Sequence, residues 1–391
     1  MPLVDMKDML QHAYRHGYAV GAFEVISLDF LQGIMQAAEQ ARAPVVLNLV
    51  EPHFEHFDFE LMMPAVEMAA LRAKVPVAIH MDHGTSLESA VNAINRGCNS
   101  LMVDSSYLDF TENVRITKTV VDTAHACGVP VEGELGCVPG VEGETADHHA
   151  DGLAYTSLAE AKAYVTRTGV DFLAISIGTV HGRIKGKPKL DYTRLKQIND
   201  ALRVPLVIHG GTGLSDDQYH RLISNGVSKI NYFTALSDRV SVQIKENAKT
   251  RTSSTYCGLM KDISQVIASE VEHCLRMWGA AGRAAEVLAQ CDAWKPVEHL
   301  IIYNTERLGK ADTEIMVAEG RRVLSSIPGV RDVFTGEAVQ SDTKYQYTWM
   351  VRFCHPAVID SYRNHPAHVA FADNLFRPVA GNRISIDFQS V

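Results

Sequence analysis

The stretch that decides the fold runs from Val75 to Gly84 and has the sequence VPVAIHMDHG. A β-branched run after a proline is typical of a buried parallel strand whose first residues need no amide donor. The stretch ends in His80, Asp82 and His83, polar side chains at the carboxyl end of the predicted strand. A single polar strand end is ordinarily a hydrogen-bonded part of the core, so this stretch alone predicts no function.

The same pattern recurs along the chain. Apolar runs, several of them opened by Val-Pro, lead to polar residues at Glu132 and Glu134, His181, His209, and Asn231 and Thr234. In a (β/α)8 barrel the active site lies at the carboxyl ends of the strands. Because these polar ends are spread over the whole set of strands, and not gathered at one switch point, the pattern predicts a (β/α)8 TIM barrel.

The periodicity also gives approximate element positions. Strands are predicted at 18–24, 44–50, 75–82, 98–104, 129–135, 171–177, 204–210 and 227–233. Helices are predicted between them at 29–40, 87–95, 111–126, 157–168, 192–202 and 215–224. Ser86 and Ser215 carry capping signals for two of these helices. Strands that alternate with helices predict a parallel sheet, so the first part of the chain is an α/β domain.

The pattern changes after Pro296. Strand, helix, strand, strand, helix and strand follow at 297–304, 313–325, 330–337, 345–353, 356–364 and 384–388. This βαββαβ order predicts a small α+β ferredoxin-like domain with its helices on one face. The predicted domains are therefore 1–290 and 296–391. The open face of the small sheet needs a cover, most simply a second copy of the chain, which predicts a homo-oligomer, a dimer or a tetramer.

Composition and charge limit the class of partner that the chain is expected to bind. The 391 residues carry a net charge of −9 and no basic cluster, which argues against nucleic-acid binding. The start of the chain lacks the pattern of a signal peptide, and no apolar run is long enough to span a bilayer, so we expect a cytoplasmic protein without a membrane partner. Seven scattered cysteines without Cys-x-x-Cys spacing fit a reducing compartment. A small molecule is the expected partner.

Four of the polar strand ends carry side chains that bind metals. His83, Glu134, His181 and His209 supply three imidazoles and a carboxylate to one barrel mouth, a set suited to Zn²⁺ or another divalent metal such as Co²⁺, Fe²⁺ or Mn²⁺. A lone histidine on any one strand is more often a hydrogen-bonded core residue. Four such ends on four strands of one barrel favour a metal site.

Asp82 and the glycine-rich turns complete the predicted site. Asp82 either reaches over the metal toward a substrate or orients a neighbouring histidine. Turns near predicted helix starts offer backbone amides to an anion such as phosphate. The residues predicted to bind it are Gly182, Lys185, Gly210, Gly211, Thr212, Asn231 and Thr234. The alternative interpretation is that the glycines only form tight turns and that Lys185 is a solvated loop residue.

Residues 1 to about 290 resemble the class II, metal-dependent fructose-bisphosphate and tagatose-bisphosphate aldolase family. The matching segments occur in the family's order: DH at 82–83, VEGELG at 131–136, IGTVHG at 177–182, KGKPKLD at 185–191, HGGTG at 209–213 and KIN at 229–231. The resemblance implies a lyase that cleaves or condenses a ketose phosphate or bisphosphate through a metal-stabilised enediolate. It also implies zinc or another divalent ion, and a monovalent cation is a further candidate.

The resemblance assigns roles to residues. His83, His181 and His209 hold the metal, with Glu134 as a further or alternate ligand. Asp82 transfers the proton of the hydroxyl on the carbon being cleaved. Glu142, in the loop PGVEGE at 139–144, matches the loop glutamate that moves the enediolate proton, and Glu144 is its rival for this role.

The chain also departs from the family at its predicted substrate site. Glu24 stands where the family usually has Asn, and the second strand ends in Val50-Glu51-Pro52 instead of a small hydroxyl residue and glycine. Carboxylates beside a phosphate dianion repel it. Two substrate classes therefore remain: a ketose phosphate or bisphosphate, and a ketose-like compound that has no terminal phosphate or carries another acid group.

The C-terminal part is similar to the stress-responsive dimeric α/β-barrel (Dabb) family, in VEHLIIY at 297–303, IPGV at 327–330 and YRNHPAHV at 362–369. One plant branch of that family cyclises polyketides with a Tyr and a His, and the matching positions are Tyr362 and His368, with His299 in the opening strand. Members without known activity share the motif, which favours packing and dimerisation over catalysis. The functions considered are an aldolase with a dimerisation module, a bifunctional enzyme whose second site is cyclase-like, and a non-catalytic metal-binding barrel.

Overall fold

Eight parallel strands pair in sequence order and close on themselves. The computed structural model describes residues 2–136, 138–140, 155–183, 189–250, 255–306 and 308–389. The strands are β1 (Val20–Glu24), β2 (Val45–Val50), β3 (Val77–Gly84), β4 (Ser100–Val103), β5 (Val131–Leu135), β6 (Phe172–Ile175), β7 (Leu206–Ile208) and β8 (Val227–Tyr232). Pairing of β1 with β8 places Ala22 opposite Asn231 and closes the ring. The predicted (β/α)8 barrel is confirmed.

Helices surround this barrel. They are α1 (Met6–His16), α2 (Leu28–Ala41), α3 (Phe59–Arg72), α4 (Leu87–Arg96), α5 (Phe110–Ala126), α6 (Leu158–Thr168), α7 (Tyr192–Leu202), α8 (Asp216–Ile223), α9 (Thr234–Thr250), α10 (Tyr256–Leu259), α11 (Ile263–Met277) and α12 (Ala284–Gln290). The sequence prediction missed α1 and α3. Helix α3 contains Pro64, and its apolar residues do not fall on one clear face, so its periodicity is weak.

The helix starts agree with the sequence signals. Ser86 accepts a hydrogen bond from the Ser89 amide at the start of α4, and Ser215 forms a full capping box with Gln218 at the start of α8. Because each helix of this kind begins just after a strand ends, the capped N-termini lie on the side of the barrel mouth. Helices α2 and α11 of the surrounding layer pack closely against each other. A Cβ added to Gly33 of α2 would lie 2.6 Å from the Ser264 carbonyl oxygen of α11.

The C-terminal sheet has four antiparallel strands in the order β10, β11, β9, β12. Its elements are β9 (Val297–Tyr303), α13 (Lys310–Leu324), β10 (Val330–Glu337), β11 (Tyr347–Phe353), α14 (Val358–Asn364), α15 (Pro366–Phe371) and β12 (Arg383–Gln389). This order confirms the predicted ferredoxin-like fold. The division into domains at 1–290 and 296–391 stays a prediction; α12 ends at Gln290 and β9 begins at Val297.

Polar contacts join the small sheet to the flank of the barrel. Arg331 at the start of β10 makes a two-pronged ion pair with Glu67 of α3, at 2.6 and 2.8 Å. Asn95 of α4 accepts a hydrogen bond from the Gly329 amide at 2.8 Å and donates one to the Ile327 carbonyl at 3.1 Å. These contacts lie on the helices beside β3, the strand that carries Asp82 and His83. Within the described ranges, no helix is both long enough and apolar enough to cross a membrane.

Candidate active site

Three histidines from different strands meet at the barrel mouth. His83 lies at the end of β3, His181 follows β6, and His209 follows β7. One ligand nitrogen from each ring lies within 4.8 Å of the others, and all three residues are buried. The structure thus brings these three side chains together, and their role as metal ligands stays a prediction.

The backbone at His83 explains how two neighbouring residues both reach the site. Successive side chains of a strand point to opposite faces, yet Asp82 Oδ2 lies only 4.0 Å from His83 Nε2. His83 has a φ of 51°, in the left-handed region that a non-glycine residue occupies at a cost of about 1–3 kcal/mol. This conformation breaks the alternation at the end of β3 and turns both side chains into one cluster.

Hydrogen bonds to the protein set which nitrogen of each ring carries the proton and which carries the lone pair. His83 Nδ1 lies 2.9 Å from Asp104 Oδ2, His209 Nε2 lies 2.9 Å from Glu132 Oε1, and His181 Nδ1 lies 3.1 Å from the Val138 carbonyl. Each of these partners is an acceptor, so each ring donates its one proton there when it is neutral.

The remaining nitrogens then carry lone pairs toward a common centre. His83 Nε2 and His209 Nδ1 face each other at 3.0 Å, too close for two bare lone pairs without a proton or a cation between them. Burial lowers the pKa of His83, but the charges of Asp82 and Asp104 outweigh that effect and raise the pKa well above its usual value. The cluster therefore favours a positive charge at this point, which a divalent metal would supply.

Glu134 offers an oxygen to the same centre. Its Oε1 accepts hydrogen bonds from the Val138 amide at 3.1 Å and from the Ser106 hydroxyl at 3.2 Å. Its buried Oε2 has no hydrogen-bond partner among the described residues and lies 3.6 Å from His209 Nδ1. Burial, reinforced by the charge of Asp104, raises the pKa of Glu134 to about 7. An unsatisfied buried oxygen beside bare imidazole nitrogens fits a metal ligand.

Asp82 is held beside the three histidines by two amides. Asn231 Nδ2 donates to Asp82 Oδ2 at 2.6 Å, and Asn48 Nδ2 donates to the same oxygen at 2.8 Å. Burial opposes the charge, but the nearby His83 and Lys229 hold the pKa of Asp82 well below its usual value. The residue is therefore an ionised carboxylate whose position is fixed.

A layer of charged residues lies beneath the three histidines, and the sequence analysis noted Glu132 as a polar strand end but gave it no role. Glu132 accepts hydrogen bonds from His209 Nε2 at 2.9 Å and from Lys229 Nζ at 2.8 Å, and all three side chains are fully buried. Burial raises the pKa of Glu132, but the charges of Lys229 and His209 outweigh it and lower the pKa to about 2. Asp104, at the end of β4, was also missed, although a polar residue after a strand was the signal used elsewhere.

Most of the residues predicted to bind phosphate lie in turns that follow barrel strands. Gly182 and Gly210 have φ values of 80° and 64°, and a Cβ on Gly210 would overlap the Val180 carbonyl oxygen, so this turn requires glycine. Helix α9 begins at Thr234, and Thr212 Oγ1 accepts a hydrogen bond from the Ala235 amide at 3.3 Å. Gly210, Gly211 and Thr212 follow β7 and Thr234 follows β8, whereas Gly182 follows β6.

The other residues singled out in the sequence have side-chain contacts outside these turns or lie outside the described residues. The side-chain amide of Asn231 donates to Asp82, beside the three histidines, and the binding of phosphate by Asn231 stays a prediction. Glu51, named as a departure near the substrate, accepts hydrogen bonds from the Thr85 amide and from Ser89 at the start of α4. Lys185, Glu142 and Glu144 lie outside the described residues.

The C-terminal candidates also meet at a cavity. A space of about 370 Å³ between the small sheet and its helices is lined by His299, Tyr362 and His368. The Tyr362 and His368 rings are 4.3 Å apart, and His299 Nδ1 lies 2.6 Å from Asp387 Oδ1. The described lining residues also include Arg363, Arg377 and Arg383. Tyr362, His368 and His299 thus line one cavity, and a second site there stays a prediction.

Comparisons with known proteins account for both parts of the chain. The family model for class-II fructose-bisphosphate aldolases matches residues 4–283, and that for the stress responsive A/B barrel domain matches residues 297–390. A fructose-bisphosphate aldolase from Geobacillus stearothermophilus is 40% identical over 293 residues, covering 73% of this chain and 100% of that protein. A fructose-bisphosphate aldolase from Staphylococcus aureus is 43% identical over 237 residues, covering 60% of this chain and 82% of that protein.

Solved structures agree with these relatives. The crystal structure of the YdjI aldolase from Escherichia coli K12 has a TM-score of 0.65 at 35% identity and covers 72% of this chain and 99% of its own. A putative fructose-1,6-bisphosphate aldolase from Coccidioides immitis has a TM-score of 0.65 at 29% identity and covers 71% and 97%. The chain therefore belongs to the class-II fructose-bisphosphate aldolase family, and it is a metal-dependent aldolase, a carbon–carbon lyase, with a stress responsive A/B barrel domain after the aldolase barrel.

Proposed function

We propose that His83, His181 and His209 hold the catalytic metal, with Glu134 as the fourth protein ligand. The observation that carries this proposal is the set of three rings, each with one nitrogen tied to a protein acceptor and the other facing a shared centre. Three imidazoles and one carboxylate favour Zn²⁺ among the divalent ions that aldolases of this kind can use. Asp104 and Glu132 orient two of these rings.

The metal, when bound, would polarise the substrate carbonyl as a Lewis acid. We assign to Asp82 the transfer of the proton on the hydroxyl of the carbon that is cleaved. Its carboxylate is ionised and fixed by Asn48 and Asn231, so it can accept that proton in cleavage and return it in condensation. Glu142 remains our candidate for the second proton transfer, at the carbon that becomes the nucleophile.

For the substrate we propose a ketose phosphate. The relatives are named fructose-bisphosphate aldolases, and the turns at the ends of β7 and β8, with the start of α9 at Thr234, supply a place for a phosphate group. The phosphate-binding residues would be Gly182, Gly210, Gly211, Thr212 and Thr234. The alternative is a ketose-like substrate without a phosphate on this side.

Metal content and ligand-induced thermal shift test this proposal. Zinc-loaded protein should be stabilised by dihydroxyacetone phosphate and by phosphoglycolohydroxamate, because both place a phosphate in the cradle and oxygens at the metal. A ligand present at 100 times its Kd raises the free energy of unfolding by about 2.7 kcal/mol. Dihydroxyacetone, without the phosphate, is the matched control and should give a smaller shift.

Two results would contradict the proposal. Retained aldol turnover after chelation, with no metal left in the protein, would remove the metal mechanism. An equal shift with phosphorylated and unphosphorylated ligands would remove the phosphate cradle and favour the alternative substrate.

For the C-terminal domain we propose that its outer sheet face pairs with a second copy of the chain. Phe334, Met350, Leu300 and Ile386 stand side by side across all four strands, and Phe334 and Ile386 are 48% and 46% exposed. The matched family is described as a barrel, whereas one open four-stranded sheet cannot close, and a second sheet would complete it. A two-fold dimer brings the same row against itself.

Sedimentation analysis of the full chain tests the dimer. Ile386→Lys should shift the protein toward monomer, because it buries a charge in the paired apolar row. Lys substituted at Val339, an exposed residue in the turn after β10, is the matched control and should leave the subunit number unchanged. A monomeric parent protein at micromolar concentration would overturn the pairing.

A further inference from the structure

The cavity of the C-terminal domain lies on the face of the small sheet opposite to the row of apolar residues proposed to pair in a dimer. Alternate residues of a strand point to opposite faces of its sheet. The cavity is lined by odd-numbered positions of two neighbouring strands, His299 and Ile301 of β9 and Arg383, Ser385 and Asp387 of β12. The apolar row uses the even positions between them, such as Leu300 and Ile386. A ligand in the cavity therefore does not compete with the proposed dimer.

The buried part of the cavity lining is apolar and aromatic. Phe353, Tyr362, Ala372 and Phe376 line it and are each at most 6% exposed. The Phe353 ring lies 4.8 Å from the Tyr362 ring and stacks on the His299 ring at 5.7 Å. A volume of about 370 Å³ falls in the range of pockets for small organic ligands. The apolar body of a ligand, above all a flat ring, would bury its surface against these side chains.

The exposed part of the lining carries three arginines, Arg363, Arg377 and Arg383. Arg363 pairs with Asp360 at 3.3 Å, and Arg377 pairs with Asp373. Both aspartates lie outside the described lining, and their side chains are 85% and 51% exposed. Exposed pairs of this kind are weak because water screens them. Since a guanidinium group has five N–H donors, each of these arginines still has donors for an anion in the cavity.

Arg383 has no acid as its partner among the described residues. Its Nη1 donates to the neutral carbonyl oxygen of Ala380 at 2.7 Å. The one carboxylate in the described lining, that of Asp387, already accepts from His299 Nδ1 at 2.6 Å. Three guanidinium groups beside a single, already bonded carboxylate attract an anion and repel a cation.

A buried hydroxyl group is the second observation that indicates a ligand. Tyr362 lines the cavity and is 4% exposed, and its hydroxyl makes no hydrogen bond to any residue that the structure describes. Burial raises the pKa of Tyr362, so the hydroxyl keeps its proton and can donate it. Buried polar groups are nearly always hydrogen-bonded. An oxyanion in the cavity would accept this missing bond.

We propose that the C-terminal cavity binds a small organic anion whose carboxylate or phosphate group lies at the arginines, Arg383 above all, and whose ring packs against Phe353. The Tyr362 hydroxyl donates to the same ligand. A sugar phosphate suits this site poorly, because its hydroxyl groups would be buried against apolar side chains without partners. The inference is independent of the proposed aldolase function and assigns the small domain a ligand of a different class.

Isothermal titration of the full-length protein with three probes of similar shape tests the site. Benzoate and phenyl phosphate carry an anionic group on a ring and separate a carboxylate from a phosphate head group. Benzamide is the matched neutral control. A ligand of about nine non-hydrogen atoms should reach a Kd of about 1 mM here. The preferred anion should bind at least about 10-fold more tightly than benzamide.

Two variants locate the bound anion. Arg383→Gln should weaken the preferred anion at least about threefold and leave benzamide unchanged, because it removes the charge and part of the donor set. Arg322→Gln is the matched control for net charge. Arg322 lies in α13, is 72% exposed, pairs with Glu319 and does not line the cavity, so this variant should bind the anion as the parent does.

The outcomes separate the cavity from other sites on the protein. Anion binding that weakens in Arg383→Gln and not in Arg322→Gln supports the inference. Anion binding that Arg383→Gln leaves unchanged takes place elsewhere, for example in the barrel, and overturns it. An equal loss in both variants assigns the binding to long-range charge and overturns it as well. Equal affinities for benzoate, phenyl phosphate and benzamide, or no binding of either anion at about 10 mM, have the same consequence.

Discussion

At the barrel mouth, His83, His181 and His209 each tie one ring nitrogen to the protein and turn the other toward a shared centre. The C-terminal cavity holds His299 and His368 on separate elements. His299 Nδ1 contacts Asp387 at 2.6 Å, and His368 Nδ1 lies 3.1 Å from the Arg363 carbonyl. The histidines of the barrel thus converge on one point, whereas those of the C-terminal domain line separate parts of a cavity wall.

Charge separates the two sites further. In the barrel, Asp82, Asp104, Glu132 and Glu134 surround the rings, and every group of described residues that could hold a metal lies there. In the C-terminal cavity the described lining has three arginines and two histidines against one aspartate. Buried carboxylates stabilise a bound cation, whereas arginines repel it. In this chain the described histidines that belong to a possible metal-binding group are those with carboxylates close around them.

The largest effect that would test this contrast is expected from the barrel. His209→Ala should lose both metal and turnover, because it removes a ligand. Asp82→Asn should keep the metal and lower kcat by about 10²–10⁴, because it removes the group that transfers the proton. Metal analysis on both variants, beside steady-state kinetics, separates the two losses. Metal loss in Asp82→Asn would show that Asp82 supports the metal and does not act on the substrate.

A smaller effect is expected from the layer beneath the ligands. Glu132→Gln should weaken metal affinity by about 10–100-fold, because the amide cannot match the carboxylate that holds His209. A competition titration with a chelating dye measures the change. The matched control is Glu60→Gln, which removes an exposed carboxylate and should leave the affinity as it was. Unchanged affinity in Glu132→Gln would make Glu132 a structural partner of Lys229 alone.

The fold was largely predictable from local patterns. Apolar runs with polar ends appear in the sequence in the same order as the barrel strands, and a βαββαβ order after Pro296 was sufficient for the small domain. Helix α3 was missed because Pro64 and scattered apolar residues hide its period. Local periodicity reports which segments are buried, and a closed barrel is one of few ways to bury eight such strands.

The site was predictable only to its first layer. His83, Glu134, His181 and His209 could be singled out because each lies at or after the end of an apolar strand. Asp104 contacts His83, and Glu132 contacts His209 and Lys229, which lie 77 and 97 positions further along the chain. Pairing in the fold, and not spacing in the sequence, therefore gives these acids their contacts. The left-handed backbone of His83 was also beyond prediction, because nothing in its neighbours requires it.

Loss of the contact between His299 and Asp387 in the C-terminal cavity should have a much smaller effect than the substitutions in the barrel. His299→Ala breaks the contact with Asp387, whose side chain is 35% exposed, so the loss in free energy of unfolding should be about 0.2–1 kcal/mol. Metal content should not change, since none of the groups of described side chains that could hold a metal includes His299. Chemical denaturation and metal analysis check both statements. A drop in bound zinc would place a metal ligand in the small domain and weaken the contrast.

The smallest effect is expected at Tyr362. Its ring packs 4.8 Å from the ring of Phe353 and 4.3 Å from that of His368, and Tyr362→Phe preserves both contacts while it removes the hydroxyl. If the domain serves packing and dimerisation, aldol turnover should stay within about twofold, and NMR should detect the same products from both proteins. A bifunctional enzyme predicts otherwise, because a cyclase-like step that uses the Tyr362 hydroxyl would fail and the cleavage product would accumulate. An altered product mixture at normal aldol turnover would therefore show that the arginine-lined cavity is a second active site, one that acts without the buried acids that define the first.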